Sequence, residues 1–407
     1  MHLKKCRNCK SKKIIKLFSL GNLSYTGRFP KTLNQTIKKG KLSLSICSNC
    51  KLVQLGNHFD LNYLYGPSYG YRTGINLTMT NHVKEITKYL SKITHLKKGD
   101  SVLDIASNDG TLLNFYKKNI ITFGIDPLIN KYLKNYKKIN YKISNFFDYK
   151  KINTKHKNKF KIITALSVFY DLEHPNKFLS GISKLLKEDG VALIEVADLY
   201  SILKKKMFDT ICHEHLEYYS TSVLINMFKN NELKLIDIKE NSINGSSKQY
   251  YLTKIDSQLP INQKKINKIL KKEKKLNMDQ VKTFKNFKKE IDLLKVRLIN
   301  KIKKIKKANK TIHGYGASTK GNVLLQYFGI DNKYLDFIAE RNLNKYNHYT
   351  PGTKIKIVSE KISRSLKPNY YLVLPWHFKD EIVERERMTI KSGSNFIFPL
   401  PNLTTVK

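Results

Sequence analysis

Three features of the sequence predict an α/β protein built in several parts. From Lys98 onward, strand-like and helix-like stretches alternate, which calls for an open parallel sheet covered by helices on both faces. Four cysteines in two C-x-x-C pairs precede that region. A second strand-turn-helix unit, "TIHGYGASTKGNVLLQYF", lies beyond a lysine-rich stretch. The expected parts are a four-cysteine module over 1–65, a central domain over 66–255, a helical linker over 256–310 and a Rossmann-like α/β domain over 311–407.

The elements follow in order. Cys6 and Cys9 in "CRNC" and Cys47 and Cys50 in "CSNC" form two knuckles, each aiming two thiolates at one ion. Four sulfur ligands leave no open coordination position, so the predicted site is a structural Zn2+. The spacer between them, Lys10 to Ile46, has room for a hairpin and a loop. Paired cysteines of this kind point to metal in a reducing compartment rather than to disulfides.

In the centre, "SVLDIAS" reads as a buried strand ending at the turn "NDG", followed by the apolar helix start "TLLNFY". "ITFGIDP" is the second strand and ends at Asp126. "KIITALSVF" and "VALIEVAD" are further strands, with a helix from Pro175 to about Lys187 between them. "LKLIDIKEN" and "SKQYYLTKI" form a closing pair. The first turn, Asp104 to Gly110, has one glycine and two acids, whereas a dinucleotide needs G-x-G-x-x-G to approach its pyrophosphate. Carboxylates there suit a cofactor carrying an ammonium and a sulfonium, S-adenosylmethionine (SAM). Asp126 is placed to accept both ribose hydroxyls. The expectation is a class I SAM methyltransferase sheet.

"DTICHEHLEYYS" brings Cys212, His213, Glu214 and His215 together. In an extended segment the two histidines would share one face and Glu214 would point the other way. Proton transfer, a metal site and a structural role all stay open on the residues alone. "STSVLINMFKNNEL" is scaffold: Ser220 caps a helix with an apolar stripe at Val223, Leu224, Met227 and Phe228. Residues 261–310 predict one or two amphipathic helices with solvated lysines. In the last domain, the turn from Gly314 to Gly321 offers backbone N–H groups and Lys320 at a helix start, which suits a phosphate. A nicotinamide cofactor is the rival, with its third glycine misplaced, and a turn that merely packs strand on helix is the plain alternative.

The charge is +44, from 76 basic and 32 acidic residues, and eight of the basic ones are Arg. The lysines are spread along the whole chain beside many Asn, Ile and Tyr, a pattern of composition rather than of a patch. No helix-turn-helix, second finger or RNA-binding signature accompanies them, so nucleic acid is not the expected partner. The excess favours an anionic substrate such as a nucleotide diphosphate. No apolar run is long enough for a membrane helix and the N-terminus has no signal-peptide pattern, so a cytoplasmic location is expected. The sequence leaves the oligomeric state open.

Taken together, "CRNC…CSNC", "YGYRTGIN", "VLDIASNDGTLL", "CHEHLEYYS", "NGSSK" and "GYGASTKGNVLLQYFGI" resemble the NDP-sugar C-methyltransferase family, in the same order over nearly the whole chain. The resemblance implies a zinc-binding domain, a SAM domain and a C-terminal C-methyltransferase domain. It implies methyl transfer to a carbon alpha to the ketone of a nucleotide-linked keto-deoxysugar, through an enolate. Carried over residue by residue, the SAM contacts fall on Asp104, Ser107, Asn108, Gly110 and Asp126, with Phe146 in "NFFD" and Ser167 in "LSVF" where adenine and methionine contacts lie. His215 takes the place of the base and Glu214 assists its protonation or substrate binding; the catalytic role of the phenol missing at Cys212 falls to Tyr71, which matches a tyrosine the family also uses, or to Tyr218. Gly316 and Lys320 are expected near the anionic substrate. The chain departs from the pattern at Cys212, where relatives have tyrosine, and at Asp171, where some have histidine. Two other readings stay open: a SAM methyltransferase of an oxygen or nitrogen acceptor, and a basic zinc-containing nucleic-acid-binding protein with an inactive methyltransferase-like domain.

Overall fold

The computed structural model describes residues 3–65, 71–152 and 159–407. Of the stretch "YGYRTGIN", Tyr69 and Gly70 lie outside the described residues.

The N-terminal part is an antiparallel hairpin, β1 (Ile14–Ser24) with β2 (Lys39–Cys47), extended by β3 (Val53–Leu55) and followed by α1 (Leu61–Tyr65). The hairpin places the two cysteine pairs side by side. Each pair closes the same kind of turn: the Lys10 N–H donates to the Cys6 carbonyl (3.1 Å) and the Lys51 N–H to the Cys47 carbonyl (3.0 Å). Lys10 and Lys51 both take positive φ, 59° and 61°. The Cys6 and Cys50 sulfurs stand 3.6 Å apart and those of Cys9 and Cys47 3.5 Å, with all four within 4.8 Å of one another. A tetrahedral Zn2+ with bonds of about 2.3 Å needs sulfurs about 3.8 Å apart, so the cradle fits zinc. The Gln54 amide donates to the Cys6 sulfur at 3.2 Å and accepts the Arg7 N–H at 3.0 Å, which orients the ligand from outside.

The central sheet begins after α2 (Leu77–Ile93) with β4 (Ser101–Ile105), β5 (Ile121–Ile125), β6 (Tyr141–Ile143) and β7 (Phe160–Leu166). α3 (Pro175–Leu185) starts at a proline, which forgoes only an N–H that the first turn leaves free. It leads into β8 (Leu186–Ala197) and α4 (Leu199–Lys204). The short β9 (Glu217–Tyr218) leaves this sheet and pairs with β3 of the N-terminal part. α5 (Thr221–Lys229) then leads to β10 (Leu233–Asn241) and β11 (Ser247–Lys254). The sheet order is β6-β5-β4-β7-β8-β11-β10, parallel except for β11, which runs antiparallel between β8 and β10. β4, β5 and β7 are buried on both faces, which is why they read as apolar runs. The Ser220 hydroxyl accepts the Val223 N–H, and Val223, Leu224, Met227 and Phe228 are buried, as the pattern predicts. One expectation changes. "TLLNFY" makes a single 3-10 turn (Leu113–Phe115) rather than a helix, because only ten residues separate Gly110 from β5.

The lysine-rich stretch forms α6 (Gln263–Lys274) and α7 (Val281–Lys307). Along α7, Phe284, Phe287, Ile291, Leu294, Leu298, Ile302 and Ile305 recur at helical spacing and are buried, while the lysines face out. α7 is about 40 Å long, and its apolar stripe joins one core with leucines of β1 and β2 and with the last domain. That domain runs from β12 (Ile312–Tyr315) through α8 (Thr319–Phe328), with a sheet whose first three strands in sequence order, Ile312–Tyr315, Ile338–Glu340 and Ile357–Ser359, are parallel. The Gln326 side chain bonds both the N–H (2.7 Å) and the carbonyl (3.1 Å) of Ser24, fastening α8 to the end of β1. Among the described residues no helix is long and apolar enough to cross a membrane.

A fully buried ion triad ties α6 to the central sheet. The Lys248 ammonium on β11 meets Asp198 at 2.9 Å and Glu273 at 2.5 Å. Asp198 also caps α4, and Glu273 accepts the N–H and hydroxyl of Thr221 at the start of α5. Removing the lysine leaves two buried carboxylates unpaired. Lys248→Met is expected to cost about 3–5 kcal/mol, read as a lowered denaturation midpoint; an unchanged midpoint would show the triad is dispensable. The purified chain should carry one zinc, lost in a Cys6→Ser/Cys47→Ser double variant and measured by elemental analysis. Full zinc content in that variant would rule out the four-cysteine site.

Candidate active site

The turn after β4 is built by unusual backbone angles. Ala106, Asn108 and Gly110 take φ of 58°, 51° and 74°. At Gly110 a Cβ would also meet Ile139 at 2.8 Å and the Tyr136 ring at 3.2 Å, so only glycine fits. Asp126, just past β5, accepts the Asn108 N–H (2.9 Å) on one oxygen and the Leu128 N–H (2.7 Å) on the other. The Ser107 hydroxyl bonds the Tyr136 phenol at 2.8 Å. Asp104 is buried against Thr164, whose hydroxyl donates to it at 2.6 Å. Burial pushes Asp104 up to about 7 and Asp126 up to about 6. Both carboxyls are held above the usual carboxylate range, and a nearby cation favours their ionised forms.

A strap from Tyr71 to Gly74 covers this turn. The Asn108 amide donates to the Tyr71 carbonyl (3.1 Å) and accepts the Thr73 N–H (3.0 Å). Asp109 accepts the Gly74 N–H at 3.1 Å and pairs with Arg72 at 3.5 Å. Tyr71 is 42 % exposed. Desolvation pushes its phenol up to about 12, with Asp109 and Glu195 adding to the effect and Thr73 opposing it. Of the two phenylalanines in "NFFD", Phe147 packs edge-on against Phe178 at 4.9 Å, while Phe146 is exposed at the surface. Ser167 takes φ of 55° and its N–H donates to the Glu195 carbonyl at 2.9 Å. The Glu195 carboxylate is buried and accepts from His82 at 2.9 Å and Gln249 at 2.7 Å.

The H-E-H stretch is a bend, not an extended strand, so its three side chains do not alternate between two faces. His213 is wholly buried in the N-terminal part. Its ring packs on Tyr25 (4.6 Å) and Phe59 (5.0 Å), its Nε2 meets the Gly40 carbonyl at 3.2 Å, and burial pulls it down to about 4. Glu214 is turned to the loop after β1, accepts from the Thr26 hydroxyl at 3.4 Å and is raised by burial. Gly27 is required there, because a Cβ would stand 2.5 Å from the carboxylate. His215 packs on the Tyr170 ring at 4.4 Å. Its Nδ1 bonds the Thr210 carbonyl at 2.9 Å, which fixes the proton on Nδ1 and leaves the Nε2 lone pair free. Burial, with Lys320 adding, pulls His215 down to about 3. The histidines therefore do not form a metal pair; among the described residues the only metal-type cluster is the four cysteines.

The C-terminal domain reaches this site through two segments. Gly316 turns the chain with φ of 81°, with Pro375 so close that a Cβ would stand 2.7 Å from it. Four residues on, the Lys320 ammonium donates to the Asn244 carbonyl at 2.7 Å. After "YYLVLP", the Trp376 indole donates to Asp209 at 2.8 Å, and His377 sits beside it, pulled well down by burial and by Lys320. Tyr170, Asp209, Trp376 and His377 carry no sequence motif. The one signal that could have found them is position: each lies in a loop segment just past a strand or beside the H-E-H bend, where sites gather in α/β folds. Cys212, in place of the relatives' tyrosine, is buried, and Tyr218 bonds the His215 carbonyl at 3.0 Å.

Profiles of three families match consecutive stretches of the chain: a zinc binding domain over residues 6–65, a methyltransferase domain over 76–238 and a C-methyltransferase C-terminal domain over 242–401. The C-methyltransferase NovU of Streptomyces niveus is 25% identical over 364 residues, covering 88% of this chain and 86% of its own. Among solved structures, a SAM-dependent methyltransferase from Clostridium acetobutylicum is 14% identical, with 43% of this chain and 91% of that one covered and a TM-score of 0.36. A protein from Pyrococcus horikoshii is 16% identical, with 48% and 99% covered and the same TM-score of 0.36. The three domain matches run in one order along nearly the whole chain, on a sheet and a four-sulfur cradle that suit them, so the chain is a SAM-dependent methyltransferase that carries a zinc binding domain, a methyltransferase domain and a C-methyltransferase C-terminal domain in succession.

Proposed function

We propose that the enzyme methylates the carbon alpha to the ketone of a nucleotide-linked keto-deoxysugar, with His215 as the base that forms the enolate. The observation that carries this reading is the state of His215. Its Nδ1 is committed to the Thr210 carbonyl, so Nε2 carries the lone pair. At about 3, however, the imidazole is too weak a base to take a carbon-bound proton at neutral pH. An anionic substrate entering beside Lys320 offsets the burial and the cation that hold it down, and brings it toward the working range. A nucleotide-linked sugar supplies that charge on the molecule to be deprotonated. An uncharged acceptor leaves the base switched off.

SAM, when bound, supplies an electrophilic methyl group on a sulfonium. In this reading Asp126 holds its ribose hydroxyls, the turn at Ser107, Asn108 and Gly110 lines its path, and Asp104 faces its positive end. Phe146 is the exposed aromatic available to the adenine, and Ser167 flanks the methionine end. His215 Nε2 takes the alpha proton, and the C–H electron pair becomes the enolate double bond. The enolate carbon would then take the methyl group as the methyl–sulfur bond breaks and leaves its pair on the neutral sulfur of S-adenosylhomocysteine; the ketone would re-form and the imidazolium return its proton to solvent. Tyr71, held over the cofactor turn by its strap, closes the pocket. Glu214 fixes the bend by bonding the N-terminal loop, which supports His215 through its backbone.

His215→Asn is expected to lower turnover at least about 10²-fold while calorimetry shows SAM binding as in the unaltered chain. Near-normal turnover would remove His215 as the base. Labelled SAM incubated with a panel of nucleotide 4-keto-sugars should place label on carbon, stable to base. Label on oxygen or nitrogen would establish the other acceptor class instead.

A further inference from the structure

Lys320 stands at a junction of both halves of the site. It is the second residue of α8, whose first turn is capped by Ser318 accepting the Gly321 N–H at 3.0 Å. The ammonium donates to the Asn244 carbonyl. Asn244 and Gly245 form a turn with φ of 53° and 97°, and a Cβ on Gly245 would meet Met207 at 2.7 Å and His377 at 3.5 Å. Met207 begins the segment that runs through Asp209, which Trp376 holds, to Thr210, whose carbonyl holds His215. The lysine and the base are thus fixed to one small frame, residues 207–210 and 243–245.

Asp209, Cys212, His215 and His377 lie within electrostatic reach of Lys320. Asp209 has one buried oxygen without a hydrogen-bond partner, and His377 a buried Nδ1 in the same state. Burial pulls the Lys320 ammonium below its ordinary value, and Asp209 pushes it back up. An ammonium has three donors, and the Asn244 carbonyl takes one. A cation that faces the base meets the atoms next to the carbon being deprotonated, and the ketone oxygen is two bonds from that carbon.

We propose that Lys320 is a catalytic residue: its ammonium donates to the sugar ketone oxygen and stabilises the enolate as His215 removes the alpha proton. This rests on the keto-sugar reading above and assigns the oxygen's partner within it. As the N–H bond forms at His215, the C–H pair moves into the new C=C bond. The ketone π pair moves onto oxygen, where the Lys320 N–H meets it. On methyl transfer the pair returns from oxygen, and Lys320 ends with its proton. The role places the oxygen's partner on the C-terminal domain. It also makes the chemistry depend on that domain being seated on the central sheet.

The test compares the full-length wild-type chain with Lys320→Gln and Lys320→Arg. It reads kcat and KM with nucleotide 4-keto-sugars, solvent deuterium uptake at the alpha carbon in the presence of S-adenosylhomocysteine, and SAM affinity by calorimetry. For Lys320→Gln, kcat and deuterium uptake should both fall by roughly 10²–10³-fold, with SAM affinity and sugar KM close to wild type. Removing the cation also relieves His215, so the acid limb of the pH profile should move to higher pH. Lys320→Arg, which keeps a charge, should recover part of kcat. A raised KM with kcat intact makes Lys320 a phosphate anchor and overturns the proposal, as does an unchanged enzyme or an arginine variant no better than glutamine. If the wild type itself takes up no deuterium with any keto-sugar, the keto-sugar reading fails and Lys320's role falls with it. A wild type that is active beside a Lys320→Gln that keeps its kcat defeats the lysine alone.

Discussion

The bend at His213–Glu214–His215 is the constraint on which the rest of the structure depends. Three successive side chains, two of them buried and the third half-buried, are claimed by three different parts of the molecule. His213 fills an aromatic box in the N-terminal hairpin. Glu214 meets Thr26 in the loop that also bonds α8 through Asn322. His215 is pinned by Thr210 on the central domain and feels the Lys320 cation from the C-terminal domain. A bend held from three sides cannot relax to make room, so the free nitrogen of His215 keeps its direction. The zinc site serves the same end at one remove. It fixes the hairpin that makes the box for His213.

The cofactor turn shows a second use of strain and burial. Three residues in left-handed backbone bring the Asn108 N–H onto Asp126, and the strap at Tyr71–Gly74 is bonded to the turn by Asn108 and Asp109. Each bond is short-range, and the carboxyls they surround, Asp104 and Asp126, are raised by burial. A cation beside them offsets that cost. The same electrostatic logic, with opposite sign, governs His215 and Lys320.

Sequence and structure agree best where a local pattern has one physical solution. The four cysteines, the alternation of β4 to β8, the Ser220 cap and the stripe along α7 were legible because spacing and period state which side chains meet. "TLLNFY" misled because its apolar residues look helical, and only the distance to β5 shows that a helix does not fit. The H-E-H stretch misled in another way. A strand-like reading puts two histidines on one face, whereas the hairpin and α8 compress the segment into a bend that separates them.

The sequence by itself determined the element types, the closed four-sulfur site, the acidic cofactor turn and the presence of a histidine rich in chemical options. The tertiary structure alone decided which histidine is free and which is walled in, that Phe146 and not Phe147 is exposed, and that Trp376 of the last domain reaches Asp209, in the segment whose Thr210 holds His215. The reason is physical. Periodicity records how a segment buries its own face, while the meeting of loop residues from distant segments depends on how whole sheets and helices stack. Nothing in "GYGASTKG" or "LPWHF" encodes that stacking; the apolar core shared by β1, α7 and the last sheet does.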